Sequence, residues 1–95
     1  MDRIQAMQMF MRVAEAGSFV RAAETLSLPA STVTSTIKNL EKYLKVRLLN
    51  RTTRRVSLTP EGMQYLAQCR EILALIEHSE STLSESVARP QGRLR

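Results

Sequence analysis

Ile4, Met7, Phe10, Met11 and Ala14 recur at intervals of three, three, one and three residues, the spacing of one face of an α-helix. Asp2 can cap that helix, and Gln5 three residues later completes a capping-box pattern. Gly17 supplies a left-handed stop and Ser18 a fresh cap, so a second helix should begin at once. That helix, "SFVRAAETL", turns Phe19, Ala22, Ala23 and Leu26 inward. Two adjacent alanines on so short a helix let a neighbouring helix approach closely, where bulkier residues would hold it off. Pro29 breaks the pattern, and a third helix is expected from about Ala30 to Leu44, with Val33, Ile37, Leu40 and Leu44 facing the core.

Beyond Leu44 the period changes. Leu48 and Leu49 on one side, with Val56 and Leu58 flanking an outward Ser57 on the other, suit two short strands of a ribbon. The tip between them, "NRTTRR", is left in solvent. Thr59 then caps a fourth helix, with Pro60 at its favoured first position and Glu61 near the positive end of the dipole. Leu66, Cys69, Leu73, Ile76, Leu83 and Val87 continue in a three-four spacing interrupted only at Glu80, and Ile72 and Leu75 widen the stripe. A helix from Pro60 to about Val87 spans about 42 Å at 1.5 Å per residue. Most of that seam cannot be covered by the small body before it, so it predicts a partner helix, most simply its twin in a homodimer. "ARPQGRLR", with Pro90, Gly92 and three arginines, fits a hinge leading out of the domain.

The third helix carries Ser31, Thr32, Thr34, Ser35 and Lys38 away from its apolar stripe. Hydroxyl side chains compete for backbone hydrogen bonds and are poor helix formers. Two accounts are open: a polar first turn facing water, or short side chains that let the helix come close to base edges and phosphates. Two helices joined by a brief turn, the first small-faced and the second polar-faced, make a helix-turn-helix. The ribbon adds a wing. The predicted fold is therefore mainly α: a winged helix-turn-helix of three helices and a two-stranded β wing, followed by a long dimerisation linker helix. The expected boundaries are residues 1–59 for the winged domain, 60–88 for the linker helix and 89–95 for the hinge.

Composition narrows the function. Ninety-five residues with 43% hydrophobic content make one domain with little room for a deep cleft. Aromatic residues are limited to Phe10, Phe19, Tyr43 and Tyr65, so aliphatic residues and methionine must build the core; Met7, Met9, Met11 and Met63 are expected there, and both tyrosines half-buried. Charge matters more by position than by its total of +5. Residues 1–60 carry a balance of +6 and residues 61–95 one of −1. Positions 38 to 55 hold seven basic residues (Lys38, Lys42, Lys45, Arg47, Arg51, Arg54 and Arg55) against the single acid Glu41. Such a block predicts a polyanionic partner. A membrane-surface helix would need bulky apolar residues opposite the charges on one continuous helix, whereas here the charges run from a helix onto a ribbon. Nucleic acid is the expected partner, double-stranded DNA where a helix-turn-helix presents the charge, and no membrane.

With those elements in order, the stretch "SFVRAAETLSLPASTVTSTIKNLEKYLKVRLLNRTTRRVSLTPEG" resembles the N-terminal winged helix-turn-helix of LysR-type bacterial transcriptional regulators. The resemblance covers residues 2 to about 88. It implies that Ala30, Ser31, Thr32, Thr34, Ser35 and Lys38 enter the major groove. It also implies that Arg54, with Thr53 and Arg55, enters or flanks the adjacent minor groove, and that Arg51 grips phosphate or a neighbouring acid. The long helix is similar to the family's dimerisation linker. The tail is similar to the hinge before an effector-binding domain, which implies a chain roughly three times longer that forms tetramers and takes its small-molecule effector there. The implied setting is the bacterial cytoplasm, at the nucleoid when bound. Three departures matter: Ala30 replaces a frequent Gln or Lys, Ser35 and Thr36 stand near a frequent Arg, and Lys45 replaces the glycine after the third helix. Direct base readout should then lean on threonine methyls, water and groove shape. Lys45 must take the left-handed conformation at some cost, or the helix must end differently.

No nucleophile–base pair, glycine-rich phosphate loop or metal-ligand spacing occurs, so neither enzyme activity nor a cofactor or metal is expected. Cys69 excludes an internal disulfide, suits a reducing compartment and lies on the apolar seam as packing. His78 has no second ligand nearby, and Glu77 and Glu80 fit solvated charge. No apolar run approaches the roughly 18 residues a membrane span needs, and no signal-peptide pattern opens the chain. Two other functions compete with a sequence-specific regulator: a winged helix used for protein–protein assembly, which would not need a basic wing, and a non-specific architectural DNA binder.

Overall fold

The computed structural model describes residues 2–51 and 55–88, with Ala88 described by its backbone alone. Six elements follow in order: α1 (Arg3–Ala16), α2 (Phe19–Leu26), α3 (Ala30–Leu44), β1 (Leu49–Arg51), β2 (Val56–Leu58) and α4 (Pro60–Ala88). This is the mainly helical winged helix-turn-helix expected.

The helix boundaries have visible causes. Asp2 caps α1 through its side-chain oxygen, which accepts from the Gln5 amide at 3.1 Å. Gly17, at φ 67°, ends it by donating to the Val13 carbonyl. Ser18 Oγ accepts from the Arg21 amide at 3.2 Å and opens α2. That helix stops on Ser27, at φ 58°, a left-handed residue with no glycine to announce it. Pro29 precedes α3 without a side-chain cap. Lys45 closes α3 at φ 59°, donating to the carbonyls of Glu41 and Lys42. It adopts the left-handed conformation after all, at a cost of roughly 1 kcal/mol relative to glycine.

Helices α1, α2 and α3 pack around Phe10, Val13, Ala22, Ala23, Val33, Ile37 and Leu40, all buried, and Leu48 and Leu49 close the core from the wing. The paired alanines are buried as expected. The arc that α1 buries is broader than its predicted stripe. Ala6, Met7, Met9, Phe10 and Val13 are buried, while Ile4 stays 46% exposed. A helix turns 100° per residue, so Ile4 lies well round from Phe10, on the edge of a helix that α2, α3 and α4 all touch. Met63 and Tyr43 are also corrections. Both are more than half exposed; Met63 is on the outer side of α4, and Tyr43 stacks under the Arg3 guanidinium, 5.2 Å from the ring centroid.

The apolar seam expected to pair two copies divides into two parts. Leu66 and Cys69 are buried inside this chain's own core, where the start of α4 lies on α1 and the Phe10 and Tyr65 rings sit 5.5 Å apart. They are spent on the fold and are not free to meet a partner helix. Leu73 is partly covered by the same core and Ile76 is half-buried. Leu83 and Val87 are 66% and 80% exposed. Among the described residues no helix is long and apolar enough to cross a membrane.

Candidate nucleic-acid interface

The apolar stripe of α3 fixes which side of it faces out. Val33, Ile37 and Leu40 are fully buried, so the opposite face stands open. Ser31, Thr32, Ser35 and Lys38 are exposed there, whereas Ala30 and Thr34 are half-buried. Four of the six residues expected to meet DNA thus share an open surface, and the other two sit at its edge. Thr36 spends its hydroxyl on the helix itself, donating to the Thr32 carbonyl at 2.8 Å. The hydroxyls of Ser31, Thr32, Thr34 and Ser35 make no such bond among the described residues, and remain available as donors and acceptors.

Beside this face stands the root of the wing. β1 and β2 pair antiparallel, with Leu49 opposite Leu58, Asn50 opposite Ser57 and Arg51 opposite Val56. Leu48 and Leu49 are buried and so anchor the ribbon, while Arg51 and Arg55 are exposed at its outer end. Thr53 and Arg54, expected at the tip, lie outside the described residues. Lys42 in the last turn of α3, and Lys45 and Arg47 between α3 and the ribbon, are exposed. Positive charge therefore runs from the third helix onto the ribbon with little to offset it.

The one acid in the basic block has a specific place. Glu41 Oε2 accepts from the amides of Leu48 and Leu49 at 2.9 and 3.2 Å, and Glu41 Oε1 accepts from Arg51 Nη2 at 3.3 Å. The Arg51 guanidinium also lies 5.0 Å over the Phe19 ring of α2. Of the two partners left open for Arg51, the structure contains the acid. Sequence reading passed over Glu41 and the Phe19 face; the signal that could have found Glu41 was its isolation among seven cations.

A second fastening joins the wing to α4. Thr59 is the buried polar residue of the described structure. Its hydroxyl donates to the Arg47 carbonyl at 2.6 Å and accepts from the Gly62 amide at 2.9 Å, while its own amide donates to the Leu48 carbonyl at 3.0 Å. Gly62 lies so close beneath that carbonyl that a Cβ would collide with its oxygen. Deeper in, burial pushes the Tyr65 hydroxyl up to about 12, with the neighbouring Cys69 thiol adding to the rise. Burial likewise raises the Cys69 thiol. Such a thiol stays protonated and unreactive, as packing requires. Among the described residues no three His, Cys, Asp or Glu side chains gather as a metal site would need.

The family model described as "bacterial regulatory helix-turn-helix protein, lysR family" matches residues 4–63. The chain belongs to that family. It is 50% identical over 95 residues to an HTH-type transcriptional repressor of Pseudomonas aeruginosa, all of this chain aligning with 30% of that protein. It is 43% identical over 95 residues to the uncharacterized HTH-type transcriptional regulator YhjC of Escherichia coli, covering 32% of it. The chain thus spans less than a third of the length of these relatives. Among solved structures, the DNA-binding domain of BenM in complex with catB site 1 DNA superposes with a TM-score of 0.86 at 28% identity, over 88% of this chain and 93% of that one. The CbnR DNA-binding domain in its DNA complex gives 0.84 at 35% identity, over 90% and 98%.

Proposed function

We propose that this chain is the DNA-reading part of a longer LysR-type transcription regulator and binds an interrupted, A·T-rich inverted repeat as a homodimer. The observation that carries this is the open face of α3. It presents unpaired hydroxyls at Ser31, Thr32 and Ser35 and the charge of Lys38, over a stripe buried too deeply to turn. Ala30 and Thr34, at its edge, supply apolar contact with thymine methyls. Arg55 and the tip residues Thr53 and Arg54 take the adjacent minor groove, where arginine suits the narrow, electronegative A·T tract because its guanidinium sheds water readily. Support comes also from the BenM and CbnR domains of the same fold, each solved with DNA.

Pairing of two copies falls to the outer part of α4, Leu73, Ile76, Leu83 and Val87, with residues 60–88 as linker and 89–95 as hinge. In the full-length regulator a small-molecule effector binds a further domain and alters how dimers assemble into tetramers. The work is done in the bacterial cytoplasm. The test is selection of genomic fragments by this chain at physiological salt, with sequencing of the bound pool. An inverted repeat with A·T-rich flanks, favoured roughly 10³-fold or more over random duplex, supports the reading. A pool without a motif overturns it in favour of architectural binding.

A further inference from the structure

We propose that Glu41 and Arg51 form a strut that holds the wing at a set angle to α3, making both residues positioning residues of the interface. Arg51 then does not hold a phosphate. This rests on the reading that the wing touches DNA.

Three elements meet at one carboxylate. Glu41 sits on the last full turns of α3, at the root of the recognition helix, and its side chain is only 17% exposed. One of its oxygens accepts from two consecutive backbone amides, those of Leu48 and Leu49, where β1 begins. An α3 side chain therefore fixes the direction in which the ribbon leaves the body. Its other oxygen holds Arg51 at the far end of β1. That guanidinium closes over Phe19 on α2, the first helix of the helix-turn-helix. A ribbon of three residue pairs is marginal by itself, and charge-assisted bonds of this kind are the stronger class of hydrogen bond.

The placement of charge argues the same way. A carboxylate beside a DNA-binding surface repels phosphate, so an acid in the middle of a cationic block weakens binding unless it does something else. An arginine already bridging a carboxylate and an aromatic ring has one donor bound and one face of its guanidinium covered. Holding two reading elements in fixed register is what lets them enter neighbouring grooves together without an entropy cost on binding.

The experiment is a double-mutant cycle on the 95-residue chain with Glu41→Gln, Arg51→Gln and both together. Binding is measured by fluorescence anisotropy to two duplexes of roughly 40 base pairs, one A·T-rich and one G·C-rich, at a temperature where circular dichroism shows every variant folded. Glutamine at 41 keeps an acceptor for the two amides but loses the charge that holds Arg51. The strut predicts that Glu41→Gln weakens A·T-rich binding by on the order of tenfold, although a negative charge has been removed. Arg51→Gln should weaken it comparably, and the double variant no further. If Arg51 instead holds phosphate, Glu41→Gln leaves affinity unchanged or tightens it while Arg51→Gln alone weakens it, and the strut is overturned. A role in stability alone lowers the melting temperature of the variants and leaves the affinity of the folded protein untouched, which also overturns it. Should Glu41→Gln fail to fold, Arg51→Gln and Arg51→Lys decide: lysine keeps the charge, so restored binding in the lysine variant speaks for phosphate and lost binding for the strut. Equal affinity of the parent for both duplexes would count against the A·T reading of the wing, and leave the cycle to judge the strut.

Discussion

Replacing Gly62 by alanine separates helix propensity from packing, because the two predict opposite signs. Gly62 is the third residue of α4 and has helical backbone geometry. On propensity alone, alanine there should stabilise the protein by about 1 kcal/mol. The structure argues otherwise. An added Cβ would collide with the Leu48 carbonyl oxygen and lie 3.2 Å from Leu58 Cδ2. Leu48 cannot move away freely: its carbonyl accepts from Thr59, its amide donates to Glu41, and its side chain is buried. Relieving the clash shifts α4 against the wing, at about 1–3 kcal/mol for overpacking. It also strains the Thr59–Leu48 bond, worth about 1 kcal/mol. Set against the propensity gain, the expected net loss is about 2 kcal/mol, or a fall in melting temperature of about 8–16 °C for a domain of this size. Urea unfolding followed by circular dichroism measures it. A variant as stable as the parent, or more so, would mean that α4 does not start against Leu48 as described.

The remaining predictions concern assembly, DNA and pH. Leu83→Asp, at a position 66% exposed within one chain, should leave the melting temperature of the monomer unchanged. It should split the dimer in sedimentation and weaken operator binding by about tenfold or more through lost bivalency; an unchanged dimer would defeat the assignment of the outer seam. Arg54→Ala should weaken binding to A·T-rich duplex and reduce the slope of log affinity against log salt by about one unit; a slope equal to that of the parent would remove Arg54 from the interface. Burial holds the Tyr65 hydroxyl near 12 against an ordinary 10.0, so the folded state keeps a proton that the unfolded state gives up. Its contribution to stability is complete below pH 10 and declines as pH rises from 10 toward 12. Tyr65→Phe should make the loss of urea resistance across that window shallower, and an equally steep loss in both proteins would refute the assignment.

Much of this protein is legible in its order of residues because the signals are local. A cap acts within one turn, so Asp2, Gly17, Ser18 and Thr59 mark helix ends without reference to anything distant. The three-four spacing of Val33, Ile37 and Leu40 names the buried side of α3, and with it the face left to the partner. The basic block from 38 to 55 is a property of sequence, and so is the mainly helical class.

The tertiary structure alone decided how α4 divides. Periodicity draws one seam from Leu66 to Val87, since it registers that a face is apolar but not what covers it. The body of the domain reaches Leu66 and Cys69, partly shields Leu73, and leaves Leu83 and Val87 in the open. The same limit hid the wider buried arc of α1, whose several neighbours cannot be counted from one helix's period, and it hid the exposure of Met63 and Tyr43. Glu41, Gly62 and Arg51 owe their places to distances across the fold: a carboxylate reaching amides seven and eight residues away, a carbonyl pressed onto a helix start, and a guanidinium lying over Phe19. Local rules state what a residue prefers, and only the folded chain determines what it touches.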